Sequence, residues 1–208
     1  MQKLAILVTR LSSWVLSKMG RGGSMPGRLG IKIAPDCLNH LKFGGPVILV
    51  TGTNGKTSTA NMVSDLMEEA GYKVVTNRKG DNLRVGITST LLSHCSLSGR
   101  VKADAAVLEV DELNMKYIVP ALPVTAIVVN NFFRDQLDRA GEMERIIDTI
   151  ESVLPDYQGD LILNGNDPNV VRLAMAAPNA RKIYFGAAKN ASTVEHSAEA
   201  AEGRFCPK

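Results

Sequence analysis

The feature that most constrains the fold is a short apolar run joined directly to a glycine-containing turn. Residues 47–50 are aliphatic and mostly β-branched, which is typical of a strand buried on both faces of a parallel sheet. The turn Thr51-Gly-Thr-Asn-Gly-Lys-Thr57 follows at once, and apolar residues then recur at helical spacing up to Gly71. A strand, a glycine turn and a helix in this order predict an α/β protein.

Strand-like and helix-like segments alternate through the rest of the chain. We predict further strands at 73–76, 105–110, 125–129, 161–163 and 182–185, and helices at 87–92 and 143–153. This alternation implies right-handed crossovers and a largely parallel sheet. The predicted fold class is therefore α/β, a P-loop-type and mostly parallel sheet with helices on both faces, over residues 46–186.

Residues 1–45 form an N-terminal arm whose composition differs from that of the sheet. Helical spacing of apolar residues predicts an amphipathic helix over 2–19, and the glycine-rich segment 20–28 predicts a loop or an anion-binding nest. Six basic and no acidic residues precede Asp36. The helix therefore either packs on the domain or makes peripheral contact with an anionic membrane surface.

Composition excludes several classes of protein. The 24 Lys and Arg against 21 Asp and Glu give a net charge of +3, so no nucleic-acid partner is indicated. The three cysteines are widely spaced, which argues against a disulfide framework and favours a reducing compartment. The early apolar run at 4–8 is far shorter than the roughly 20 residues of a membrane span. We expect a cytoplasmic protein in which Cys37 and Cys95 are small buried residues.

The glycine turn has the chemistry of a phosphate-binding loop. Gly52 and Gly55 let the backbone approach an anion, and amides at a helix N-terminus point towards it. Lys56 neutralises phosphate charge, and the Thr57 hydroxyl is a Mg²⁺ ligand. Val50 replaces the first glycine of the usual Gly-x-x-x-x-Gly-Lys-Ser/Thr spacing. The turn predicts nucleotide binding, and the alternative is a glycine turn without a ligand.

Polar residues also follow three other predicted strands. Glu109 is placed to hold Mg²⁺ together with Thr57, unless it is a solvated acid in an acidic turn. The segment 130–139 serves the site or forms a salt-bridged loop. Asn164 is a candidate contact for a base or phosphate, whereas Asn166 or Asp167 is a candidate helix cap.

Four of these motifs resemble the ATP-dependent Mur ligases and occur in the same order: residues 51–57, 108–110, 131–139 and 163–168. The resemblance implies the fold of the central, ATP-binding domain of that family. By motif, it implies catalytic roles for Lys56 and Glu109 and Mg²⁺ binding by Thr57 and Glu109. It implies ATP binding by Gly52, Thr53, Asn54, Gly55, Lys56, Thr57, Ser58, Asn164 and Asp167.

Segments 22–27, 77–82, 108–112 and 131–139 resemble one branch of the family, the ligase-like subunits of lipid II isoglutaminyl synthases. That resemblance implies ATP-dependent activation of the D-glutamate α-carboxylate of lipid II, followed by amidation to D-isoglutamine in peptidoglycan synthesis. Ammonia is then expected from a GatD-like glutamine amidotransferase subunit. The alternatives are another carboxylate–amine ligase, of folylpolyglutamate or cyanophycin type, and a non-catalytic nucleotide-binding module.

The same branch carries a four-cysteine zinc ribbon, which implies that residues 187–208 open a truncated ribbon with Cys206 as a Zn²⁺ ligand. Three departures from the wider family stand out. Gln136 replaces a common histidine, no lysine occurs between Lys116 and Lys182 where many members carry a carbamylated one, and the C-terminal ligase domain is missing. We therefore expect these 208 residues to bind ATP without amidating lipid II.

Overall fold

Six short aliphatic runs form one sheet in the computed structural model, which describes residues 1–20, 23–78, 81–132 and 141–188. Across the sheet the order is β2-β3-β1-β4-β5-β6, and every neighbouring pair is parallel. The predicted parallel sheet is confirmed, and each predicted strand agrees with the observed one to within one residue at either end. The strands are β1 (Val47–Thr51), β2 (Val74–Thr76), β3 (Ala105–Glu109), β4 (Ala126–Val129), β5 (Asp160–Asn164) and β6 (Arg181–Phe185).

Helices connect the strands, and the predicted helices are all present. Helix α3 follows the glycine turn directly, as its spacing of apolar residues predicts. Within the ranges above, no helix is both long enough and apolar enough to cross a membrane. The α-helices are α1 (Gln2–Lys18), α2 (Met25–Ile33), α3 (Lys56–Glu69), α4 (Arg84–Ser93), α5 (Met115–Ile118), α6 (Gly141–Glu151), α7 (Pro168–Val171) and α8 (Leu173–Ala176).

Alternate residues of β1 face two different buried clusters. Leu49 belongs to the larger cluster, which also contains Leu91 of α4 and Ile147 of α6. Val50 belongs to the smaller one, where it meets Ala60 of α3. Since successive side chains of a strand point to opposite faces, the sheet is covered by helices on both faces, as predicted.

The segment 20–28 corrects the sequence prediction, because its second half is helical. Helix α2 begins at Met25, and Pro26 lies in its first turn, where proline is tolerated. A side chain at Gly27 would clash with the backbone oxygen of Val85 in α4, and a Cβ at Gly30 would lie 2.6 Å from Thr9 Oγ1 in α1. These glycines therefore allow α2 to pack closely against α4 and α1, and they do not mark a loop.

The strand order brings three strand ends together at one edge of the sheet. Strand β1 lies between β3 and β4, with Val50 opposite Glu109 and Thr51 opposite Val129. The chain leaves β1 through α3 to β2 on one side and later crosses from β3 to β4 on the other side, so β1 lies at the switch point where parallel α/β sheets bind ligands. The glycine turn therefore lies beside Glu109 and the segment that follows β4.

Candidate nucleotide-binding site

The turn after β1 has a shape that only glycine allows. Gly52 has a φ of 121°, and a Cβ there would lie 2.9 Å from both the backbone nitrogen and the backbone oxygen of Asn131. Gly55 has a φ of 77° and occupies the N-cap position of α3, so no side chain caps this helix. The first-turn amides of α3 are thus directed to the carboxyl edge of the sheet.

Lys56 folds back over this turn. Its ammonium group donates to the carbonyl oxygen of Gly52 at 2.6 Å, to that of Thr53 at 3.2 Å, and to Glu112 Oε1 at 3.1 Å. Burial raises the pKa of Glu112 although the Lys56 ammonium, which favours the carboxylate, lies beside it. The site therefore places one cation against the turn, and its partner is a carboxylate whose pKa is raised by burial.

Thr57 and Glu109 form the second charged element of the site. The Thr57 hydroxyl donates to Glu109 Oε2 at 2.8 Å, and Asn82 Nδ2 donates to Glu109 Oε1 at 2.8 Å. Glu109 is only 4% exposed, so both carboxylate oxygens are held in place. Neighbouring ligands in an octahedral Mg²⁺ shell lie about 2.9 Å apart. The Thr57 and Glu109 oxygens have this spacing and fit such an ion.

Asn77 fixes the backbone that carries Glu109. Its side chain accepts from the Glu109 amide at 2.9 Å and donates to the Glu109 carbonyl oxygen at 2.8 Å. Asn77 Nδ2 also donates to the Asp81 carbonyl oxygen at 3.1 Å. Sequence reasoning assigned no role to Asn77 or Asn82. The signal available was an asparagine directly after a predicted strand.

Asn130 and Asn131 tie the turn to the end of β4. The backbone amide of Thr53 donates to the Asn131 carbonyl oxygen at 2.8 Å, and the amide of Asn54 donates to Asn131 Oδ1 at 2.9 Å. Asn130 Nδ2 donates to Thr59 Oγ1 in α3 at 2.9 Å. The first residues of the predicted 130–139 segment therefore serve the site. Residues 133–140, with Gln136, lie outside the described ranges.

Asn164 and Asp167 lie at the end of β5, one strand further out. Asn164 Nδ2 donates to the Asn130 carbonyl oxygen at 2.8 Å. Asp167 caps α7 by accepting from the amide of Asn169, as one of the sequence interpretations predicts, and also accepts from the Phe132 amide at 2.7 Å. Both residues brace the segment after β4, and contact of either with a nucleotide stays a prediction.

The turn, Asn82 and Glu109 meet in a cavity of about 300 Å³. The structure thus brings together the predicted residues of the turn and Glu109, whereas Asn164 and Asp167 do not line this cavity. Among the described residues no group of three His, Cys, Asp or Glu side chains could hold a metal. Mg²⁺ bound with a nucleotide needs only a few protein oxygens. The residues lining the cavity are Thr53, Asn54, Gly55, Lys56, Thr57, Ser58, Asn82 and Glu109.

The cysteines of the described ranges lie away from this cavity. Cys37 and Cys95 are buried, as predicted, and burial raises the pKa of Cys95 to about 11. A thiol with so high a pKa is a poor nucleophile at neutral pH. The predicted zinc ligand Cys206 lies outside the described residues.

The parallel sheet and the site at its carboxyl edge define an α/β domain of the Mur ligase type. Residues 50–206 match the Mur ligase middle domain, and the chain belongs to this family. Among curated proteins it is similar to the lipid II isoglutaminyl synthase (glutamine-hydrolyzing) subunit MurT of Streptococcus pneumoniae, with 33% identity over 208 residues. That alignment covers 98% of this chain and 45% of the relative, so the chain spans about half the length of the relative.

Solved structures show the same fold. MurF from Acinetobacter baumannii superposes with a TM-score of 0.63 at 20% identity, covering 76% of this chain and 35% of that one. MurF from Thermotoga maritima, solved in complex with ADP, gives a TM-score of 0.56 at 18% identity over 78% of this chain and 35% of that one. The predicted Mur ligase fold is therefore confirmed.

Proposed function

We propose that this chain is the ATP-binding portion of a MurT-like subunit of a lipid II isoglutaminyl synthase, an ATP-dependent carbon–nitrogen ligase of peptidoglycan synthesis. The observation that carries the proposal is the Thr57 hydroxyl, 2.8 Å from the buried Glu109 carboxylate, beside a turn that only glycine can form. The similarity to the pneumococcal MurT supports the choice of this branch of the family.

In this proposal the nucleotide phosphates lie against the turn and the first turn of α3. Gly52, Thr53, Asn54, Gly55, Lys56, Thr57 and Ser58 supply backbone amides, hydroxyls and one ammonium group to the phosphate oxygens. Mg²⁺ held by Thr57 and Glu109 would neutralise phosphate charge. The ADP complex of the Thermotoga MurF supports a nucleotide ligand for a domain of this fold.

In this proposal the Lys56 ammonium binds and neutralises the phosphoryl group during its transfer. Its ammonium lies 3.1 Å from Glu112, and a phosphate oxygen would replace this carboxylate as its partner. Burial raises the pKa of Glu112, which makes protonation of this carboxylate more favourable once the ammonium turns away. Protonation of Glu112 would remove a negative charge from beside the nucleotide phosphates.

The proposed reaction has two steps. A carboxylate oxygen of the D-glutamate in lipid II bonds to the γ-phosphorus of ATP, and the bond to the β,γ-bridging oxygen breaks to release ADP. Ammonia then bonds to the acyl carbon of the resulting acyl phosphate, and phosphate and a proton leave as the D-isoglutamine amide forms. Phosphoryl transfer depends mainly on positioning and charge neutralisation. Lys56 supplies positive charge directly, and Glu109 would contribute by holding Mg²⁺.

The proposal extends to partners and domain organisation. The name of the pneumococcal relative, a glutamine-hydrolyzing synthase subunit, supports a GatD-like glutaminase partner that delivers the ammonia. We assign residues 1–45 to an N-terminal arm and 46–186 to the ATP-binding domain. Residues 187–208 open a zinc ribbon, in which Cys206 is a Zn²⁺ ligand.

Calorimetric titration with ATP and Mg²⁺ tests the nucleotide site. Loss of the Lys56 ammonium in Lys56→Ala should weaken binding about 100-fold, since charge-assisted hydrogen bonds to phosphate are among the strongest. Lys116→Ala, at the opposite edge of the sheet, is the matched control and should bind as the parent does. Equal affinities of Lys56→Ala and the parent protein would overturn the assignment of the turn.

The ligase step needs a second measurement. In an enzyme that joins this chain to a C-terminal ligase domain and is assembled with a GatD-like subunit, Lys56→Ala should abolish D-isoglutamine formation from lipid II, glutamine and ATP. An unchanged rate of amidation would reject the ligase role. Nucleotide binding with no amidation by the assembled parent enzyme would instead favour a non-catalytic binding module.

A further inference from the structure

Helix α1 packs on the domain through one face and exposes a second apolar face. Ala5, Ile6 and Thr9 are fully buried against the neighbouring helices. On the opposite side an apolar stripe spans about 100° of the helix surface over nearly its whole length. Its members, which are between 41% and 64% exposed, are Leu4, Leu7, Leu11, Trp14 and Val15.

An exposed apolar stripe of this length needs an explanation, because single exposed leucines are common but contiguous patches are not. A soluble surface helix places polar residues on its outer face. Here three leucines and the only tryptophan of the chain occupy it instead. The stripe therefore has the composition of a contact surface.

The charged residues of α1 itself are all basic. Lys3 and Arg10 are exposed along one border of the stripe, and Lys18 lies at its end with the ammonium 5.9 Å from the Trp14 ring centroid. The first acidic residue of the chain is Asp36. An apolar face on a helix whose charged residues are all basic complements a surface that has anionic groups above an apolar layer.

We propose that α1 docks on an anionic lipid bilayer, with the apolar stripe in the interface between headgroups and acyl chains. Helices that lie in this interface combine leucine and tryptophan on one face with lysine or arginine beside it. Lysine and arginine near the surface are attracted to anionic headgroups, and the ring of tryptophan favours the interface. A protein partner would not require that every charged residue of the helix be basic, so the charge pattern favours lipid.

Trp14 makes the proposal directly measurable, because it is the only tryptophan in the chain. On addition of phosphatidylglycerol vesicles its fluorescence should shift to shorter wavelength, and the protein should sediment with the vesicles. Phosphatidylcholine vesicles should bind it much more weakly, and high salt should reduce binding to the anionic vesicles. Absence of both the shift and the sedimentation would overturn the proposal.

Two pairs of substitutions separate the apolar and charged contributions. Leu7→Ser with Leu11→Ser should weaken partition at least about 10-fold, because two exposed leucines no longer enter the interface. Lys3→Gln with Arg10→Gln should weaken it about 30-fold at low salt. All four side chains are exposed, so the fold should be retained, and thermal unfolding checks this.

Matched controls come from exposed residues elsewhere. Met62→Ser with Leu66→Ser on α3 removes two apolar side chains of similar exposure, 63% and 67%, and Arg100→Gln with Lys102→Gln removes two exposed basic ones. Neither control should change partition. Equal losses in stripe and control variants would contradict the proposal, as would self-association through the stripe with no binding to vesicles.

Discussion

The two edges of the parallel sheet each carry a cleft, and the clefts differ in size and lining. The cleft at the carboxyl edge measures about 300 Å³ and is lined by Lys56, Thr57 and Glu109 among other polar residues. The cleft at the amino edge measures about 760 Å³ and is lined largely by valine, leucine and proline, with Lys116 and Asp156 as its charged members. Volume alone would therefore select the wrong edge for phosphate chemistry.

The difference follows from the direction of the chain. In a parallel sheet each strand runs into a helix N-terminus at the carboxyl edge, where amide groups and the positive end of the helix dipole face outward. At the amino edge the helices end in carbonyl groups. An anionic ligand is therefore favoured at the smaller cleft, and four substitutions test how far this contrast holds.

The largest effect is expected at Gly52. Gly52→Ala places a Cβ 2.9 Å from backbone atoms of Asn131 at a positive φ, so it should lower the free energy of unfolding by about 3 kcal/mol. Gly71→Ala is the matched control, because its φ of 91° is also positive but no atom lies within 4 Å of the added Cβ. Urea unfolding should show a loss of only about 1 kcal/mol there. Equal losses would show that the turn at the carboxyl edge is not tightly enclosed.

The next largest effect is expected from the hydrogen bonds between the Asn77 side chain and the Glu109 backbone. Asn77→Ala leaves the buried amide and carbonyl groups of Glu109 without the Asn77 side chain, which should destabilise the protein by about 2 kcal/mol. Asn179 is exposed and donates to the Pro155 carbonyl oxygen beside the amino-edge cleft, so Asn179→Ala should cost under about 0.5 kcal/mol. Chemical denaturation compares the two. A larger loss in Asn179→Ala would reverse the contrast between the edges.

Glu109→Gln should act on the metal rather than on the nucleotide itself. The carboxylate is replaced by a neutral amide of the same shape, so the gain in ATP affinity on adding Mg²⁺ should fall about 10-fold. Affinity measured without Mg²⁺ should change little. Asp156→Asn in the other cleft serves as the control. A Mg²⁺ dependence that survives in Glu109→Gln would exclude this carboxylate as a ligand.

The smallest effect is a dependence on pH at Glu112. Burial raises the pKa of Glu112 in the folded protein. The free energy of unfolding therefore decreases as pH rises from the pKa of the unfolded state to that of the folded state, because the unfolded protein loses this proton first. Glu112→Gln does not titrate. Its stability relative to the parent should therefore increase between about pH 4.5, the ordinary value for glutamate, and neutral pH. Urea unfolding at both pH values checks this, and a constant difference would contradict it.

The elements of the sheet are predictable from sequence because their signals are local. Runs such as 47–50 and 105–110 carry their apolar pattern within a few residues, and the glycine turn has its own spacing. Gly27 misleads because its role depends on α4, which is distant in sequence. Composition marks such a segment as irregular, whereas the packing makes part of it a helix.

The candidate site is predictable only in part for a related reason. Lys56, Thr57 and Glu109 belong to motifs at strand ends, so their types and positions reveal them. The roles of Asn77, Asn82 and Glu112 depend on which strands are neighbours and which side chain of the acidic turn faces Lys56. Spacing along the chain does not contain that information.

The hydrogen bonds between the turn and Asn131 join residues 77 or 78 positions apart in the sequence. A nascent chain that ends before Asn131 has the glycine turn but lacks the group that shapes it, so the site is complete only after β4 has paired with β1. Non-local pairing of this kind is slow to form. A nucleotide that binds only the paired state would favour that state by mass action and so would act as a folding ligand.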